Sequence, residues 1–274
     1  MGILVKDLEL NYRSRGRRNK LHDFQALKDV GLEVHDGEFL SLVGPSGCGK
    51  STFLFLLAGL IRKTNGCVEI DGEPIDGPGL DRGILMQQYA LFPWRTVQKN
   101  VEFCLEIKGV RREERSVIAA RFIDLVGLRA FSHAYPNALS GGMKQRIAIA
   151  RALAYDPKIL LMDEPFAAVD EQTREFLHEE VLRIWKATKK TIVFVTHSID
   201  EAVYLSDRIA VMSGSPGQVK EVIDVDLPRP RLKGITKSTP EFAAIRLKVW
   251  NILQEAGGSS GLKLEELIED SAGL

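Results

Sequence analysis

Phe39-Leu40-Ser41-Leu42-Val43-Gly44-Pro45-Ser46-Gly47-Cys48-Gly49-Lys50-Ser51-Thr52 is the stretch that decides how this chain is read. Phe39 to Val43 is a short apolar run after the turn His35-Asp36-Gly37-Glu38, and it predicts a buried strand. Leu32-Glu33-Val34 predicts another strand before that turn, and Ser51 to Leu60 predicts a helix, apolar nearly all round and therefore buried. Between strand and helix, Gly44 to Thr52 fits the spacing GxxxxGK[ST]. The glycines let the backbone curl until several N–H groups face one phosphate, and the helix that follows adds about +0.5 charge at its N-terminus. Lys50 supplies a mobile ammonium for the β- and γ-phosphates, and the Ser51 hydroxyl is a hard oxygen suited to Mg²⁺. Cys48 is read as a small spacer pointing from the loop. A glycine-rich turn matching by chance would not be expected to carry a strand before it and a helix after it.

A second stretch fits the first. Ile159-Leu160-Leu161-Met162-Asp163-Glu164-Pro165 is an apolar strand that ends in two carboxylates. Continuous apolar strands belong to parallel sheets covered on both faces, and ligands gather at the carboxyl ends of such strands. Asp163 is expected to hold Mg²⁺, and Glu164 to polarise an attacking water. Taken alone, the run could equally be a strand ending in a polar turn.

The composition narrows the classes. The chain has 274 residues, formal charge +0, 45% hydrophobic and 27% charged residues. That is ordinary for a globular protein and leaves no global field for gathering polyanions, so no nucleic-acid partner is expected. Cys48, Cys67 and Cys104 are too scattered for a disulfide framework or a zinc site, which fits a reducing compartment. The longest apolar run, Phe53 to Ile61, is far short of the roughly 20 residues that span a bilayer. No signal peptide or myristoylation pattern opens the chain, so a cytoplasmic location is expected.

Further strands are expected at Cys67 to Asp71, Thr191 to Val195 and Ile209 to Met212, with helices from about Val97 to Leu153 and from Thr173 to Thr188. Leu8, Leu10 and Tyr12 are read as one face of a first strand, followed by the basic run Arg13, Arg15, Arg17, Arg18 and Lys20, a solvated hairpin tip. Ser238-Thr239-Pro240-Glu241 reads as a capping box opening a helix to about Gln254. A linker, Gly257 to Gly261, and a short amphipathic segment, Leu262 to Ile268, follow. The alternation of strand and helix indicates an α/β core with a helical insertion.

Leu139-Ser140-Gly141-Gly142-Met143-Lys144-Gln145-Arg146 opens another helix with a hydroxyl and bare N–H groups, a second anion site on one chain. Together with the two motifs above, it resembles the signature of the ATP-binding-cassette (ABC) ATPases over about residues 3 to 230. The resemblance implies a P-loop NTPase (RecA-like) core with an N-terminal antiparallel β subdomain, a helical subdomain inserted at about 95–153, and a helical tail over 231–274. It implies ATP and Mg²⁺ as ligands and a head-to-tail dimer. Ser140, Gly141 and Gly142 would then touch the nucleotide held by Gly44, Pro45, Ser46, Gly47, Cys48, Gly49, Lys50, Ser51 and Thr52 of the twin chain. By the same resemblance, Gln87 (or its neighbour Gln88) senses Mg²⁺ and the γ-phosphate. Asp170 links the two sites, His197 contacts the γ-phosphate, and Tyr12 (or Phe24) stacks on adenine.

Tyr89-Ala90-Leu91-Phe92-Pro93-Trp94, Asn100-Val101 and Leu227-Pro228-Arg229-Pro230-Arg231 resemble the cassettes of nitrate, sulfonate and taurine importers. That implies membrane permease subunits docking near Gln87 to Trp94, an indirect solute-binding protein outside the cell, and residence on the cytoplasmic face of the membrane. Alternatively, Trp94 packs under the helical insertion. A soluble ABC ATPase of the repair or translation type is the other class. Only 52 positions separate Gln87 from Leu139, too few for the long coiled coil of repair members.

Overall fold

The computed structural model describes residues 2–15, 21–87, 89–167, 169–232 and 234–256. In chain order the strands and helices are β1 (Ile3–Arg15), β2 (Leu21–Val34), β3 (Phe39–Val43), α1 (Lys50–Leu57), β4 (Asn65–Ile70), β5 (Glu73–Pro74) and β6 (Arg82–Leu85). Then come α2 (Val97–Ile107), α3 (Arg112–Leu125), α4 (Gly141–Ala154), β7 (Ile159–Asp163), α5 (Glu171–Thr188), β8 (Thr191–Val195), α6 (Ile199–Leu205), β9 (Arg208–Met212), β10 (Val219–Asp224) and α7 (Pro240–Ala256).

The apolar runs become a six-stranded sheet in the order β10-β9-β3-β8-β7-β6, parallel except for the β9–β10 pair. Successive side chains of a strand point to opposite faces, so a run buried throughout must be covered twice. One face carries Phe39, Leu160, Met162, Ile192, Phe194 and Ile209 into a core with Leu177 and Val181 of α5 and Phe242 and Val249 of α7. The other carries Leu40, Leu42, Leu161, Val193 and Val195 against Phe53, Leu54 and Leu57 of α1 and against the second sheet. That second sheet is antiparallel, in the order β2-β1-β4-β5. The helices α2, α3 and α4 bury a third core among Val101, Leu105, Ile123 and Ile147.

Several local expectations need correction. Leu8 and Leu10 are buried, but Tyr12 is 42% exposed. Register shifts between Leu8 and Leu10 and between Leu10 and Asn11 break the period-two face, so Tyr12 turns outward. The first helix stops at Leu57, three residues early: Leu60 N donates to Phe55 O and Gly59 N to Leu56 O, with Gly59 at φ 73°. This is a Schellman termination. Ser238 is not the cap of α7: Thr239 Oγ1 accepts from Phe242 N at 3.2 Å, while the Ser238 hydroxyl donates to Gly234 O. The hairpin tip with Arg17, Arg18 and Lys20, Gln88, the 257–261 linker and the Leu262 to Ile268 segment lie outside the described residues.

The Pro-Arg pairs after β10 have structural work. Arg229 donates to Asp207 Oδ1 at 2.7 Å and lies 4.2 Å over the Trp185 ring. Arg231 is buried and donates to the Val203 and Tyr204 carbonyls at the end of α6. Burial, with Arg229 beside it, pulls its pKa down to about 10.

Gly217 joins the two sheets. Its N–H donates to Ala26 O at 2.9 Å and its carbonyl accepts from Lys28 N at 3.0 Å. A methyl group here would come within 2.0 Å of the Cys48 carbonyl in the glycine-rich loop. Gly217→Ala is therefore expected to cost about 1–3 kcal/mol by overpacking, lowering Tm by several degrees. Its nucleotide affinity should fall as well; thermal melts and ATP titration read the two effects.

Candidate functional site

The register of the parallel sheet builds the site. Val195, the last residue of β8, pairs with Leu42 of β3 on one side and with Asp163 of β7 on the other. Three adjacent strand ends therefore release the glycine-rich loop, the His197 loop and the Asp163-Glu164 pair at one edge of the sheet.

The loop's shape is enforced from behind. Gly49 has φ 95°, and a Cβ there would lie 2.8 Å from the Leu27 side chain of β2. Only glycine takes that backbone without cost at so close an approach. The Lys50 side chain is buried, its Nζ donating to Gly44 O at 2.8 Å and Pro45 O at 2.9 Å. Its ammonium thus lies over the loop's mouth. The first-turn N–H groups of α1, from Lys50 to Thr52, precede the first intrahelical bond, Phe53 N to Gly49 O, and are left open for an anion. Cys48 does not point from the loop: it is fully buried in the core beneath, 3.8 Å from Lys50 Nζ, and burial pushes its thiol pKa up.

Ser51 Oγ donates to Asp163 Oδ1 at 3.0 Å. Burial raises the pKa of Asp163, and the adjacent Glu164 raises it too, while the Ser51 hydrogen bond and Lys50 oppose the rise. A hydroxyl and a carboxylate side by side are hard oxygen donors of the kind Mg²⁺ takes. The donor set fits Mg²⁺.

Glu164 takes φ 46°, an uncommon backbone for a non-glycine residue. Its N–H donates to Val195 O at 3.0 Å, which ties it to β8. Gln87 Nε2 donates to Glu164 Oε2 at 3.3 Å, and His197 Nε2 lies 2.5 Å from Glu164 Oε1. The carboxylate is held between an amide and an imidazole. Gln87, Glu164 and His197, distant in sequence, are thus in mutual contact through Glu164.

Ser140 caps α4: its Oγ accepts from Met143 N at 3.3 Å, and Gly141 and Gly142 form the first turn. Asp170 caps α5, its Oδ1 accepting from Thr173 N at 3.0 Å, and that bond holds its pKa below the usual range. Tyr12 and Phe24 face each other across the β1–β2 pair, and both are exposed. Phe24 is two residues before Ala26, whose carbonyl lies behind Gly49. Trp94 does not pack under the helical layer: it is 71% exposed. It lies 5.6 Å from Phe92, whose ring packs edge-on against Phe103. Beside this cluster runs a groove of about 450 Å³ lined by Met86, Ala90, Phe92, Phe103 and Arg151 among others.

Residues 27–167 match the family model described as ABC transporter. The chain belongs to the ABC transporter family. It is one of that family's ATP-binding, ATP-hydrolysing chains, and carries no helix long and apolar enough to cross a membrane among the described residues. It is 53% identical to an uncharacterised ABC transporter ATP-binding protein of Methanocaldococcus jannaschii, over 92% of this chain and 91% of that one. It is 48% identical to the nitrate import ATP-binding protein NrtD of Synechocystis, over 81% and 83%. It is 41% identical to the aliphatic sulfonates import ATP-binding protein SsuB of Bacillus subtilis, over 91% and 93%. A solved ABC cassette, dimeric in a post-hydrolysis state with ADP and Pi, superposes with TM-score 0.73 at 34% identity, covering 82% of this chain and all of the other.

Sequence reasoning missed the supports of this ABC site: Ala26 and Leu27 behind the loop, Gly217 beside them, and Thr196, Arg174, His178 and Glu201 behind the His197 loop. Only Ser198-Ile199-Asp200-Glu201 carried a readable signal, a capping-box spacing at the start of α6.

Lys50→Ala should remove ATP binding at moderate nucleotide concentration while the fold persists, since the ammonium is the loop's only mobile cation in the motif. Titration with a fluorescent ATP analogue, beside a circular dichroism spectrum, measures both; unchanged affinity would contradict the phosphate assignment.

Proposed function

We propose that this chain is the ATP-hydrolysing subunit of a multi-subunit importer for a small anionic or organic solute of the nitrate or sulfonate kind. The observation that carries the reading is the contact set at one sheet edge: Ser51 with Asp163 at 3.0 Å, Gln87 with Glu164 at 3.3 Å, and Glu164 with His197 at 2.5 Å. The import names of the Synechocystis and Bacillus relatives favour transport over a repair or translation role.

In this reading, residues 3–230 form the ATPase unit and 231–274 its tail. The phosphates of ATP lie on the backbone of Gly44 to Thr52, with Lys50 Nζ leaving its loop carbonyls for the β- and γ-oxygens. Ser51 and Asp163, with Gln87, would hold Mg²⁺, which when bound would neutralise phosphate charge. Adenine stacks on Tyr12, with Phe24 as the cross-strand neighbour. The α4 start of a second copy, Ser140 to Gly142, presents its hydroxyl and N–H groups to the γ-phosphate, and Asp170 lies at the junction of the two copies. Closure excludes water and strengthens each charge contact.

Glu164 orients the attacking water, and His197, 2.5 Å from its Oε1, holds the carboxylate for that role. The water's proton is drawn toward the Glu164 carboxylate as the oxygen approaches phosphorus. The exposed Pro93-Trp94 corner, backed by Phe92, and the groove beside it take a short helix of a permease subunit, which ties the chain to the cytoplasmic face of the membrane. A solute-binding protein outside the cell completes the importer.

Glu164→Gln should leave ATP binding intact and cut turnover by roughly 10² or more. Wild-type turnover in that variant would remove Glu164 from the mechanism. Per-chain hydrolysis should also fall on dilution, as the homodimer dissociates; a rate independent of protein concentration, down to where light scattering shows only monomer, would refute the shared site.

A further inference from the structure

Glu201 is a buried carboxylate outside that contact set, with only 11% of its side chain exposed. It lies in the first turn of α6, four residues past His197. Its Oε2 accepts from Thr196 Oγ1 at 2.5 Å. Its Oε1 lies 3.4 Å from His178 Nε2 and 3.8 Å from Arg174 Nε, both on α5. Thr196 Oγ1 accepts from Ser198 N at 3.0 Å, so the residues on either side of His197 are fastened to one hydroxyl, and that hydroxyl to Glu201.

Arg174 carries the connection onward. Its Nη2 donates to Val169 O at 2.9 Å and its Nε to Phe166 O at 3.4 Å. These carbonyls belong to the loop that begins with Glu164 and ends with Asp170. His178 is 3% exposed and meets the Phe166 ring edge-on at 4.8 Å, which backs the same loop.

Helix capping does not account for Glu201. In a capping box the third-position carboxylate reaches back to the N–H of the capping residue. Here the Ser198 N–H is taken by Thr196, Ser198 Oγ accepts from Glu201 N at 3.2 Å, and the carboxylate faces α5. Burial pushes the Glu201 pKa up. The neighbouring His178 ring, the Thr196 hydrogen bond and the Arg174 guanidinium outweigh it and hold the net value below the usual range. The firm bond is the one to Thr196; toward α5 the carboxylate is held by charge, with the Arg174 guanidinium at 3.8 Å and the His178 ring beside it at 3.4 Å.

We propose that Glu201 is a positioning residue for hydrolysis: through Thr196 and Arg174 it locks the loop bearing His197 to the loop bearing Glu164 and Asp170, so that the two keep one spacing. The inference rests on the roles given above to Glu164 and His197. Its physical basis is that a shift of about 1 Å in an oriented water can cost on the order of 10²-fold in rate.

The test is steady-state ATP hydrolysis by the full-length chain in four forms: Glu201→Gln, Arg174→Gln, the double variant, and Glu164→Gln alongside. Glu201→Gln keeps the shape and an acceptor for Thr196 but removes the charge that binds α5. Its kcat should fall about tenfold or more, with KM for ATP and Tm near the parent values. The double variant should lose little beyond either single change, because both cut one link. Near-parent kcat in Glu201→Gln while Glu164→Gln is inactive would overturn the positioning role and leave the Glu164 reading standing. A Glu201→Gln variant with raised KM and lowered Tm would also overturn it, marking a purely structural group. Parent turnover in Glu164→Gln would remove the reading on which the proposal rests, and the proposal with it. If Glu201→Gln fails to fold, Thr196→Val, which deletes the same link at one hydroxyl, is judged by the same kcat and KM criteria.

Discussion

The parallel register in which Val195 pairs with Leu42 and with Asp163 is the constraint on which the site depends. It brings the phosphate loop, the His197 loop and the two carboxylates to one level at one sheet edge. A slip of one residue in any of β3, β7 or β8 would turn that strand's core side chains to the opposite face. The slip is resisted because both faces are packed: Phe194 faces α5 and α7, while Val193 and Val195 face α1 and the antiparallel sheet. The double burial that makes these strands continuous apolar runs is thus the same property that fixes where the chemistry sits.

Within that frame, the site concentrates costs that the surroundings hold in place. Glu164 sits at φ 46°, a conformation of about 1–3 kcal/mol for a non-glycine residue, and is pinned by its backbone bond to Val195 and side-chain contacts to Gln87 and His197. Asp163 is buried enough to raise its pKa, and so is poised for a hard cation that would favour its charged form. Lys50 is buried with carbonyls as partners instead of a carboxylate, so its positive charge stays available for an anion. Asp163 and Lys50 are thus held by a hydroxyl and by carbonyls, not neutralised by a tight ion pair of their own.

The readable parts of this chain were those whose information is local. The strands β3, β7, β8 and β9 appear as unbroken apolar runs, and Gly44 to Thr52 carries its chemistry in consecutive residues. Elements with mixed or short patterns were missed: β6 is four residues with an arginine and a glycine, β10 alternates on a half-exposed edge, and α6 is seven residues long. Tyr12 was placed on the wrong face because a bulge shifts the period without leaving a mark in the sequence. Cys48 was aimed outward because nothing local says that the loop's back is core. The Arg174–Glu201–Thr196 connection spans 27 residues of sequence, and only folding makes it adjacent.

The helical layer explains how a membrane partner could act on a site it does not touch. Asn100, fully buried in α2, donates to the Phe92, Arg95 and Thr96 carbonyls and accepts from Phe92 N, so the turn carrying the exposed Trp94 is rigid. Arg151 near the end of α4 donates to Ala90 O at 2.7 Å and Tyr89 O at 3.2 Å, which fastens that turn to the helix whose other end is Ser140. Gln87, two residues before Tyr89, reaches Glu164. A push on Trp94 therefore meets a stiff turn with two attachments. One leads through Gln87 to the Glu164 carboxylate, the other along α4 to its capping residue Ser140, which in the proposed dimer serves the other site. α4 is a continuous 14-residue helix with a buried face, so the two attachments are joined by one regular element. In the proposed dimer, docking at that turn would therefore bear on two nucleotide sites through one rigid layer.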